Sequence, residues 1–489
     1  MRCLHLLFAA MLLSWLPACS VGPDYVRPSV ETPPAFKEGQ GWKQARMEYA
    51  TIGEKWWELF GDQPLNALAE QVTVSNQNIA VAEASFRQAR ALLDGSRAGY
   101  YPTVSIGPSA TRSKSSGNIS TYSSNYSGRT RNDFNLPANL TWEIDVWGRI
   151  RRSVEAAQAG LHAGEADLAS ARLSAQAALA TAYFQLRAVD AQKSCLEETI
   201  ASYKKSLEMA QNRYTAGVVS RVDVFQAETQ LKSTQAQLVD LGVQRAQLEH
   251  AIALLAGRPP GLFSIAVLPL KVAPPVVPIF LPSELLERRP DIVSAERRMA
   301  SANAGIGVAR AAYYPTVKLG ASFGFEASDI AKWFAWPSHL WSFGPTVTET
   351  IFDGGLRRAQ NRQAEAVYDG AVAAYRQTVL GAFVEVEDNL AALRLMEEEA
   401  RVQDEAVIAA RRSLDAVTNQ YRAGVVSYLN VITAQAAELS NRRSAIAIHG
   451  RRMTAAVSLV KALGGGWRMD TKSEDRSVKQ GRDVSARVE

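Results

Sequence analysis

Apolar residues follow two different periods along the chain. In four short segments they occupy every second position, with polar or small residues between them, at about 102–112, 134–147, 315–325 and 340–352. Each segment has roughly the ten residues of a strand that crosses an outer membrane, and each has the matching alternation. Because a half-buried sheet in a soluble domain shows the same pattern, the alternation alone leaves both interpretations open.

A period of seven follows each pair of strand segments. Apolar residues recur at every seventh position over about 150–214 and again over about 356–421. A sustained period of seven predicts helices that supercoil around neighbours, and at about 1.5 Å per residue each would reach roughly 90–100 Å. Return helices are predicted at about 221–256 and 428–463. Each long helix and its return helix therefore form a coiled-coil hairpin with an exposed tip.

The whole pattern is duplicated. The Tyr-Pro pair at 101–102 recurs at 314–315, and the Tyr-x-x-Gly stretch at 214–217 recurs at 421–424. Landmarks in the same order at a nearly constant offset indicate a repeated unit, and this unit is far too long for a solenoid repeat.

Each repeat, predicted at 64–256 and 283–463, begins with a helical stretch that ends at the Tyr-Pro pair, because proline cannot continue a helix. These first helices are expected at about 64–99 and 283–312. The remaining segments are an N-terminal part at 19–63, a Pro-rich linker at 257–282 and a polar C-terminal tail at 464–489.

The first residues have the features of a secretory signal. Arg2 precedes a short apolar run, and Pro17-Ala18-Cys19 follows that run. A small residue directly before cysteine resembles the lipobox of bacterial lipoproteins. The resemblance implies that residues 1–18 are removed and that Cys19 becomes lipidated. An ordinary signal peptide cut nearby is the alternative.

Composition excludes several classes of protein. The 489 residues carry a formal net charge of +5, which gives no reason to expect a nucleic-acid partner. Three cysteines and five histidines are too few for a disulfide scaffold or a metal cluster. We find no phosphate-binding glycine loop and no Ser/His/Asp arrangement, so neither an enzyme nor a cofactor is predicted. No apolar run approaches the roughly 20 residues of a membrane helix, so insertion into a membrane would require a lipid or strands.

The number of strands then constrains the assembly. Four membrane strands cannot close a barrel, because the smallest membrane barrels have eight and an open edge in lipid leaves backbone groups unsatisfied. If the strands are membrane strands, the chain must therefore oligomerise. Only the wider barrels leave a pore, so a cyclic assembly would be a strand barrel continued by a helical one, which is a conduit.

Several stretches are specific to one known family: Gly22–Pro28, Leu286–Ile292, Ala302–Arg310 and the paired Tyr-x-x-Gly tips. Through them, and over about 20–468, the chain resembles the TolC-like outer membrane factors. It is most similar to the lipoprotein (NodT/OprM-like) branch that serves RND-type efflux systems.

The resemblance implies a fold class, a location and a function. The fold class is a mixed α/β membrane protein, a homotrimer whose 12-stranded outer-membrane β-barrel takes four strands from each protomer and continues into a long periplasmic α-helical barrel. The expected role is a passive exit duct for drugs or other small toxic compounds in the outer membrane of a Gram-negative bacterium. The implied partners are a periplasmic adaptor, an inner-membrane RND-type pump and outer-membrane lipid.

The resemblance also places the aperture and the adaptor-docking surface at the periplasmic tips. The second tip of the family usually carries acidic residues that line the aperture, but here the matching positions hold an asparagine and a threonine, so that carboxylate ring is missing. The residues of this candidate site are Tyr214, Gly217, Asp223, Tyr421, Gly424, Asn430 and Thr433.

Asp223 matches the acidic residue of the first tip. It is expected to hold the closed state through a hydrogen bond to Tyr421 or to a neighbouring polar side chain. The alternative is that Asp223 only caps the return helix. Tyr214 and Tyr421 are either gate residues or the last apolar contacts of the coiled coil, and both glycines are expected to present a tight turn that an adaptor grips.

Other functions stay open at this point. One alternative is a duct of the same family that serves metal ions or a secreted polypeptide. Another is a periplasmic coiled-coil scaffold lipoprotein without a pore, and that alternative predicts no alternating strands. Between the third and fourth strands, Trp333, Phe334 and Trp336 either anchor at a membrane surface or pack the loop.

Overall fold

The computed structural model of the chain describes residues 20–39, 53–116, 118, 130–270, 272–275, 277 and 285–467. The predicted signal peptide at 1–18, the lipidation site Cys19 and the tail beyond 467 lie outside the described residues. None of the helices in these ranges combines the length and the hydropathy needed to span a bilayer.

Eight α-helices account for most of the described chain. The two long helices have 67 residues each, and the two return helices have 35 each, so the duplication seen in the sequence is also a duplication of lengths. The helices are α1 (Gln63–Ser75), α2 (Gln77–Ala98), α3 (Arg149–Thr215), α4 (Arg221–Leu255), α5 (Leu285–Arg288), α6 (Pro290–Ala311), α7 (Leu356–Arg422) and α8 (Tyr428–Ala462).

A single antiparallel sheet joins the two repeats. Strand β3 of the first repeat pairs with β4 of the second, β1 and β2 pair with the other side of β3, and β5 pairs with β4. The strands are β1 (Thr103–Ile106), β2 (Ser109–Lys114), β3 (Thr130–Ile144), β4 (Thr316–Ala327) and β5 (His339–Thr348).

The prediction of one strand at 102–112 is wrong, because Gly107-Pro108 divides it into β1 and β2. Proline has no N–H to donate to a ladder. The register is nevertheless continuous, since Ile106 lies opposite Ala138 and Ser109 lies opposite Asn135. The sheet therefore keeps four strand positions side by side, with an interruption in the outermost one.

The other strands differ from the prediction at their ends. Strand β3 begins at Thr130 and stops at Ile144, and β5 stops at Thr348, so both end before the predicted 147 and 352. Both strands stop where their partner β4 begins, since Ile144 lies opposite Val317 and Thr348 lies opposite Thr316. An aspartate then follows in each turn. Asp145 accepts the N–H of Ile150 at 2.8 Å, and Asp353 accepts the N–H of Gly355 at 2.9 Å. These carboxylates satisfy amides at the start of each long helix.

Both of the predicted first helices are interrupted. The helix expected at 64–99 is broken at Asn76, whose side-chain oxygen accepts the N–H of Asn78 at 3.0 Å and so caps α2. The same side chain donates to the carbonyl of Leu255 at 2.8 Å. The helix expected at 283–312 is broken before Pro290, which begins α6. Asparagine at an N-cap and proline in the first turn are common helix starts, and both signals are visible in the sequence.

The described residues form two compact units that do not follow the repeats. The first unit takes its residues from 1–29, 86–163 and 295–375, and the second takes its residues from 30–85, 164–294 and 376–489. Each unit therefore contains segments of both repeats. Every contact described below lies within one unit.

In the first unit, the N-terminal motif packs against the start of the second repeat. Tyr25 donates to Glu296 at 3.1 Å, and Asn303 donates to the carbonyl of Pro23 at 3.0 Å. Gly22 has φ +106°, and a β-carbon there would lie 2.5 Å from the α-carbon of Gly307. Only glycine suits such a conformation and such an approach. Two of the stretches that carry the family resemblance are therefore one packing unit.

The second unit holds the largest apolar core and a buried ionic network. Phe60 packs against Phe184 of α3 with ring centroids 5.0 Å apart. The carboxylate of Asp190, also on α3, accepts from Arg245 at 2.8 Å and from the N–H of Leu268 at 3.1 Å. A buried carboxylate requires such partners. This network therefore fixes the described part of the Pro-rich linker to the helices.

The close approach of β3 to β4 at Gly324 allows a test of the register between these two strands. A β-carbon at Gly324 would overlap the carbonyl oxygen of Leu136 and lie 2.9 Å from the α-carbon of Pro137, whereas a β-carbon at Gly344 would meet nothing within 4 Å. We expect Gly324→Ala to destabilise the protein by about 1–3 kcal/mol. The measurement is the midpoint of urea unfolding at unchanged slope.

Gly344→Ala is the matched control, because it adds the same methyl group to the same face of the sheet. Its midpoint should stay near that of the wild type. Equal midpoints for both variants would contradict the register of β3 against β4.

Candidate functional site

The two hairpin tips have the same turn. Gly217 and Gly424 follow the long helices with φ +72° and +78°, the left-handed conformation that disfavours side chains. After each glycine a valine N–H bonds back five residues, from Val218 to Arg213 and from Val425 to Gln420, both at 2.9 Å. This pattern is the Schellman C-cap. Both predicted turn glycines thus end a long helix in the way that the sequence suggested.

Asp223 does not supply the cap of its return helix. The hydroxyl of Ser220 accepts the N–H of Val222 at 3.2 Å and caps α4. Asp223 lies in the first turn, and its carboxylate accepts a hydrogen bond from the hydroxyl of Tyr421 at 3.4 Å. The structure thus contains the predicted contact between the two tips. Its role in closing an aperture stays a prediction.

Tyr421 is the centre of the tip region. It is only 2% exposed, and its ring lies 5.2 Å from that of Tyr428 within a cluster that also buries Val431. Burial, and then the charge of Asp223, raise the pKa of the Tyr421 hydroxyl above its ordinary value. The hydroxyl therefore stays protonated and able to donate. The interpretation of Tyr421 as a last apolar contact is consistent with its burial, and the hydrogen bond adds a polar link.

The sequence reasoning missed Arg213. Its guanidinium lies 4.6 Å from the centroid of the Tyr421 ring and donates to the carbonyl of Tyr421 at 2.5 Å. That carbonyl is one of the last of α7 and also accepts the N–H of Gly424 in the turn at 3.0 Å. Arg213 belongs to the first tip and therefore stabilises the second tip, through a cation–π contact with the Tyr421 ring and a hydrogen bond to the C-terminal end of α7. The available signal was the asymmetry of the repeats, since Gln420 stands where Arg213 would recur.

The remaining predicted residues lie outside this cluster. Tyr214, Asn430 and Thr433 are exposed. The hydroxyl of Thr433 donates to the carbonyl of Leu429 one turn earlier, at 3.0 Å. Asn430 and Thr433 follow each other on one face of α8, where two neutral side chains are presented to their surroundings.

The sheet of the first unit has one apolar and one polar face. Side chains alternate between faces along each strand, and the observed register brings the apolar positions of all strands into common rows. Two neighbouring apolar rows are Val104, Leu140, Ala321, Phe343 and Ile106, Ala138, Phe323, Trp341, and the row between them is Ser105, Asn139, Ser322, Ser342. Across that polar row, Ser322 donates to the Asn139 side-chain oxygen at 2.8 Å.

The apolar face has the height of a membrane core. On β3 it extends from Phe134 to Ile144, which is roughly 33 Å along the strand. At the tilt of about 40° usual in outer-membrane barrels, that length spans roughly 25 Å, the height of their apolar band. Among the described residues, the outer sides of β1, β2 and β5 have no strand partner.

Two helices of the second unit also carry apolar residues without a cover. Leu380, Val384, Leu395 and Val402 on α7 are all more than half exposed, at spacings of four, eleven (four plus seven) and seven. Val239, Val243 and Leu254 on α4 are similarly exposed. Spacings of four and seven are typical of a coiled-coil seam. These stripes are therefore surfaces suited to helices from another chain.

The described residues contain no group of three or more His, Cys, Asp or Glu side chains that would hold a metal ion.

Comparison with known proteins finds relatives of nearly the whole chain. The sequence profile of the family described as "Outer membrane efflux protein" matches residues 68–258 and 281–465. The toluene efflux pump outer membrane protein TtgC of Pseudomonas putida is 31% identical over 466 residues, which cover 94% of this chain and 96% of that protein. The cation efflux system protein CusC of Escherichia coli is 29% identical over 454 residues, which cover 92% and 96%.

A solved structure has the same fold. The outer-membrane channel OprN matches with a TM-score of 0.85 at 31% sequence identity, over 92% of this chain and 100% of that one. The likeness therefore includes both units of the described chain.

The burial of Tyr428 in the tip cluster can be tested by titration of its hydroxyl group. Burial, and then the neighbouring Tyr421, raise the pKa of Tyr428 to about 12, against about 10 for a free tyrosine. A raised folded-state pKa means that Tyr428 contributes stability below pH 10, and this contribution is lost as the pH rises through about 12. The difference between the ultraviolet titrations of the wild type and Tyr428→Phe should show one phenol ionising near pH 12. A midpoint near pH 10 would show that the hydroxyl is not buried.

Proposed function

The chain belongs to the outer membrane efflux protein family, and we propose that three copies of it form the passive exit duct of a tripartite efflux system. It is an outer-membrane component of efflux, with a part that extends into the periplasm. In the proposed assembly, a periplasmic adaptor and an inner-membrane RND-type pump deliver the compound and the pump supplies the energy. A lipid on Cys19 is part of the proposal.

The single observation that supports this proposal is the two-faced sheet with unpaired edges. Its apolar face matches the thickness of a hydrocarbon core, while its other face carries mainly serine, threonine, asparagine and glycine, with a few charged side chains such as Glu143 and Lys318. In lipid an open sheet edge leaves backbone groups without partners, so the sheet must close with further copies. Three copies give twelve strand positions, which is more than the eight that their own side chains would fill.

The exposed helix stripes are consistent with such an assembly, whatever its number of copies. The side chains on α7 and α4 that are uncovered in one chain would be buried against helices of neighbouring copies. Strands and helices thus both require the assembly. The polar strand face would then line the passage through the membrane.

The compound is proposed to be a small organic molecule. TtgC, which is named as part of a toluene efflux pump, is 31% identical to this chain, and the polar face of the sheet carries mainly small neutral side chains. The exposed Asn430 and Thr433 replace the acidic residues expected at the aperture. A preference for cations would therefore have to arise elsewhere.

The gate at the tips is proposed to be the Tyr421–Asp223 hydrogen bond, held in place by Arg213. Removing it should favour the open state. In planar bilayers we expect Asp223→Asn and Tyr421→Phe each to raise the open probability roughly tenfold, which corresponds to about 1.4 kcal/mol for a hydrogen bond to a charged group at a half-exposed site.

Thr433→Val is the control for these variants, since the Thr433 hydroxyl bonds to its own helix. It should conduct as the wild type does. Unchanged conductance in both Asp223→Asn and Tyr421→Phe would contradict the gate, whereas no conductance in any form, wild type included, would contradict the duct.

The helix stripes generate a separate prediction. The double variant Leu395→Asp/Val402→Asp places two carboxylates in the seam between copies, where burial of an unpaired charge is costly. We expect it to lose the trimer, measured as the mass per particle by light scattering in detergent. The conservative pair Leu395→Met/Val402→Ile keeps the seam apolar and should stay trimeric. A trimer that survives the aspartates would show that these stripes are not an interface.

A further inference from the structure

The loop between β4 and β5 is an ordered aromatic platform. The Asp329 carboxylate accepts the N–H of Ala331 at 3.0 Å, and Ser338 donates to the carbonyl of Lys332 at 2.7 Å. These bonds fix two tight turns while Phe334 and Trp336 stay 65% and 77% exposed. Apolar rings held rigidly in an exposed position indicate a surface that is covered by something else.

The rings fold onto the apolar face of the sheet and not onto the polar face. Trp333 lies 5.7 Å from Phe134, and Phe334 lies 5.8 Å from Phe325, measured between ring centroids. Trp336 stacks on His339 at 4.9 Å with an interplanar angle of 4°. Phe134, Phe325 and His339 all belong to the apolar rows. The platform is therefore continuous with the surface that faces lipid and does not lie over the polar passage.

Basic side chains stand beside the platform on the same face. Along β2 the outward positions are Ala110, then Arg112, then Lys114, so the apolar row gives way to two cations where the band ends. Lys332 adds a third from the loop. All three are exposed, and among the described residues none has a carboxylate within ion-pair distance. On the polar face Arg131, whose position lies opposite Ser113, instead pairs with Glu326 at 3.9 Å.

This end of the sheet is the one away from the long helices, because α3 and α7 begin after the opposite ends of β3 and β5. With the helices in the periplasm, the platform lies at the outer leaflet. Aromatic rings favour the level of the headgroups, and clustered Lys and Arg at that level bind anionic lipid.

We propose that Arg112, Lys114 and Lys332, together with the rings of Phe334 and Trp336, form a binding surface for the phosphorylated headgroup of an outer-leaflet glycolipid. The cations pair with the phosphates, and the rings lie against the sugars and the start of the acyl chains. The proposal rests on the proposed function, because it needs the sheet to be in the membrane. It also decides between the two interpretations of the loop aromatics in favour of a membrane anchor.

The test compares lipid retention by the purified, full-length protein. Native mass spectrometry after incubation with lipid A, or with lipid A stripped of its phosphates, reports which lipid stays bound. The wild type should retain the phosphorylated form preferentially. Arg112→Gln/Lys114→Gln/Lys332→Gln should reduce that preference at least about fivefold, the factor that a single cation near an anionic surface contributes.

Arg131→Gln is the matched control, because it removes a cation at the same depth of the sheet from the polar face. It should keep the preference of the wild type. No preference in the wild type, or an unchanged preference in the triple variant, would overturn the proposal. Channel conductance of the same samples separates the two failures, since a conducting protein without the lipid preference contradicts only the lipid surface.

A second measurement locates the platform. In vesicles of phosphatidylcholine, the fluorescence difference between the wild type and Trp336→Phe should be quenched by lipids brominated near the headgroup. Quenching of that difference by aqueous iodide alone would place Trp336 away from lipid and overturn the proposal.

Discussion

The register between β3 and β4 is the constraint on which the rest of the structure depends. It pairs eleven residues of the first repeat with eleven of the second, from Phe134 opposite Ala327 to Ile144 opposite Val317. A shift by one residue would move Phe323 and every other outward side chain of β4 to the polar face. The register therefore creates the apolar band, and the band in lipid makes unpaired edges intolerable. The proposed oligomer and its pore both follow from that pairing.

A different constraint applies at the hairpin tips, where the last carbonyl groups of each long helix need hydrogen-bond donors. Two long helices stop side by side, and each leaves carbonyls without partners. The glycine turns satisfy some of them, and Arg213 of the first repeat adds a second donor to the Tyr421 carbonyl while its guanidinium lies over the Tyr421 ring. Tyr421 is thereby fixed where its hydroxyl meets Asp223. The same contacts that finish the helices thus place the polar link that is proposed as the gate, and the strength of that link is modest enough for a partner to break.

Local signals in the sequence predicted the helices well and the sheet less well. The seven-residue period and the glycine turns place the ends of the long helices within one residue of those observed, because helix ends depend on nearby residues. Strand ends depend on partners far along the chain, and so β3 begins at Thr130 although its own alternation suggested 134. The break in the first strand at Pro108 and the break in the first helix at Asn76 both had signals in the sequence. The regular apolar period around them favoured unbroken elements instead.

The residues of the candidate site were also only partly predictable from local signals in the sequence. Both turn glycines and the contact of Asp223 with Tyr421 were accessible from the repeated motif. For Arg213 the motif offered only its asymmetry with Gln420, because the role of Arg213 arises from the packing of one repeat against the other. The common face of Arg112 and Lys114 with Phe134 also follows only from the register.

The most direct test of the account is the image and mass of the detergent-purified protein. Single-particle electron microscopy combined with light scattering should show a three-fold hollow particle with the mass of three chains. A monomer, or a rod without a lumen, would contradict the closed sheet and leave the coiled-coil scaffold as the better description.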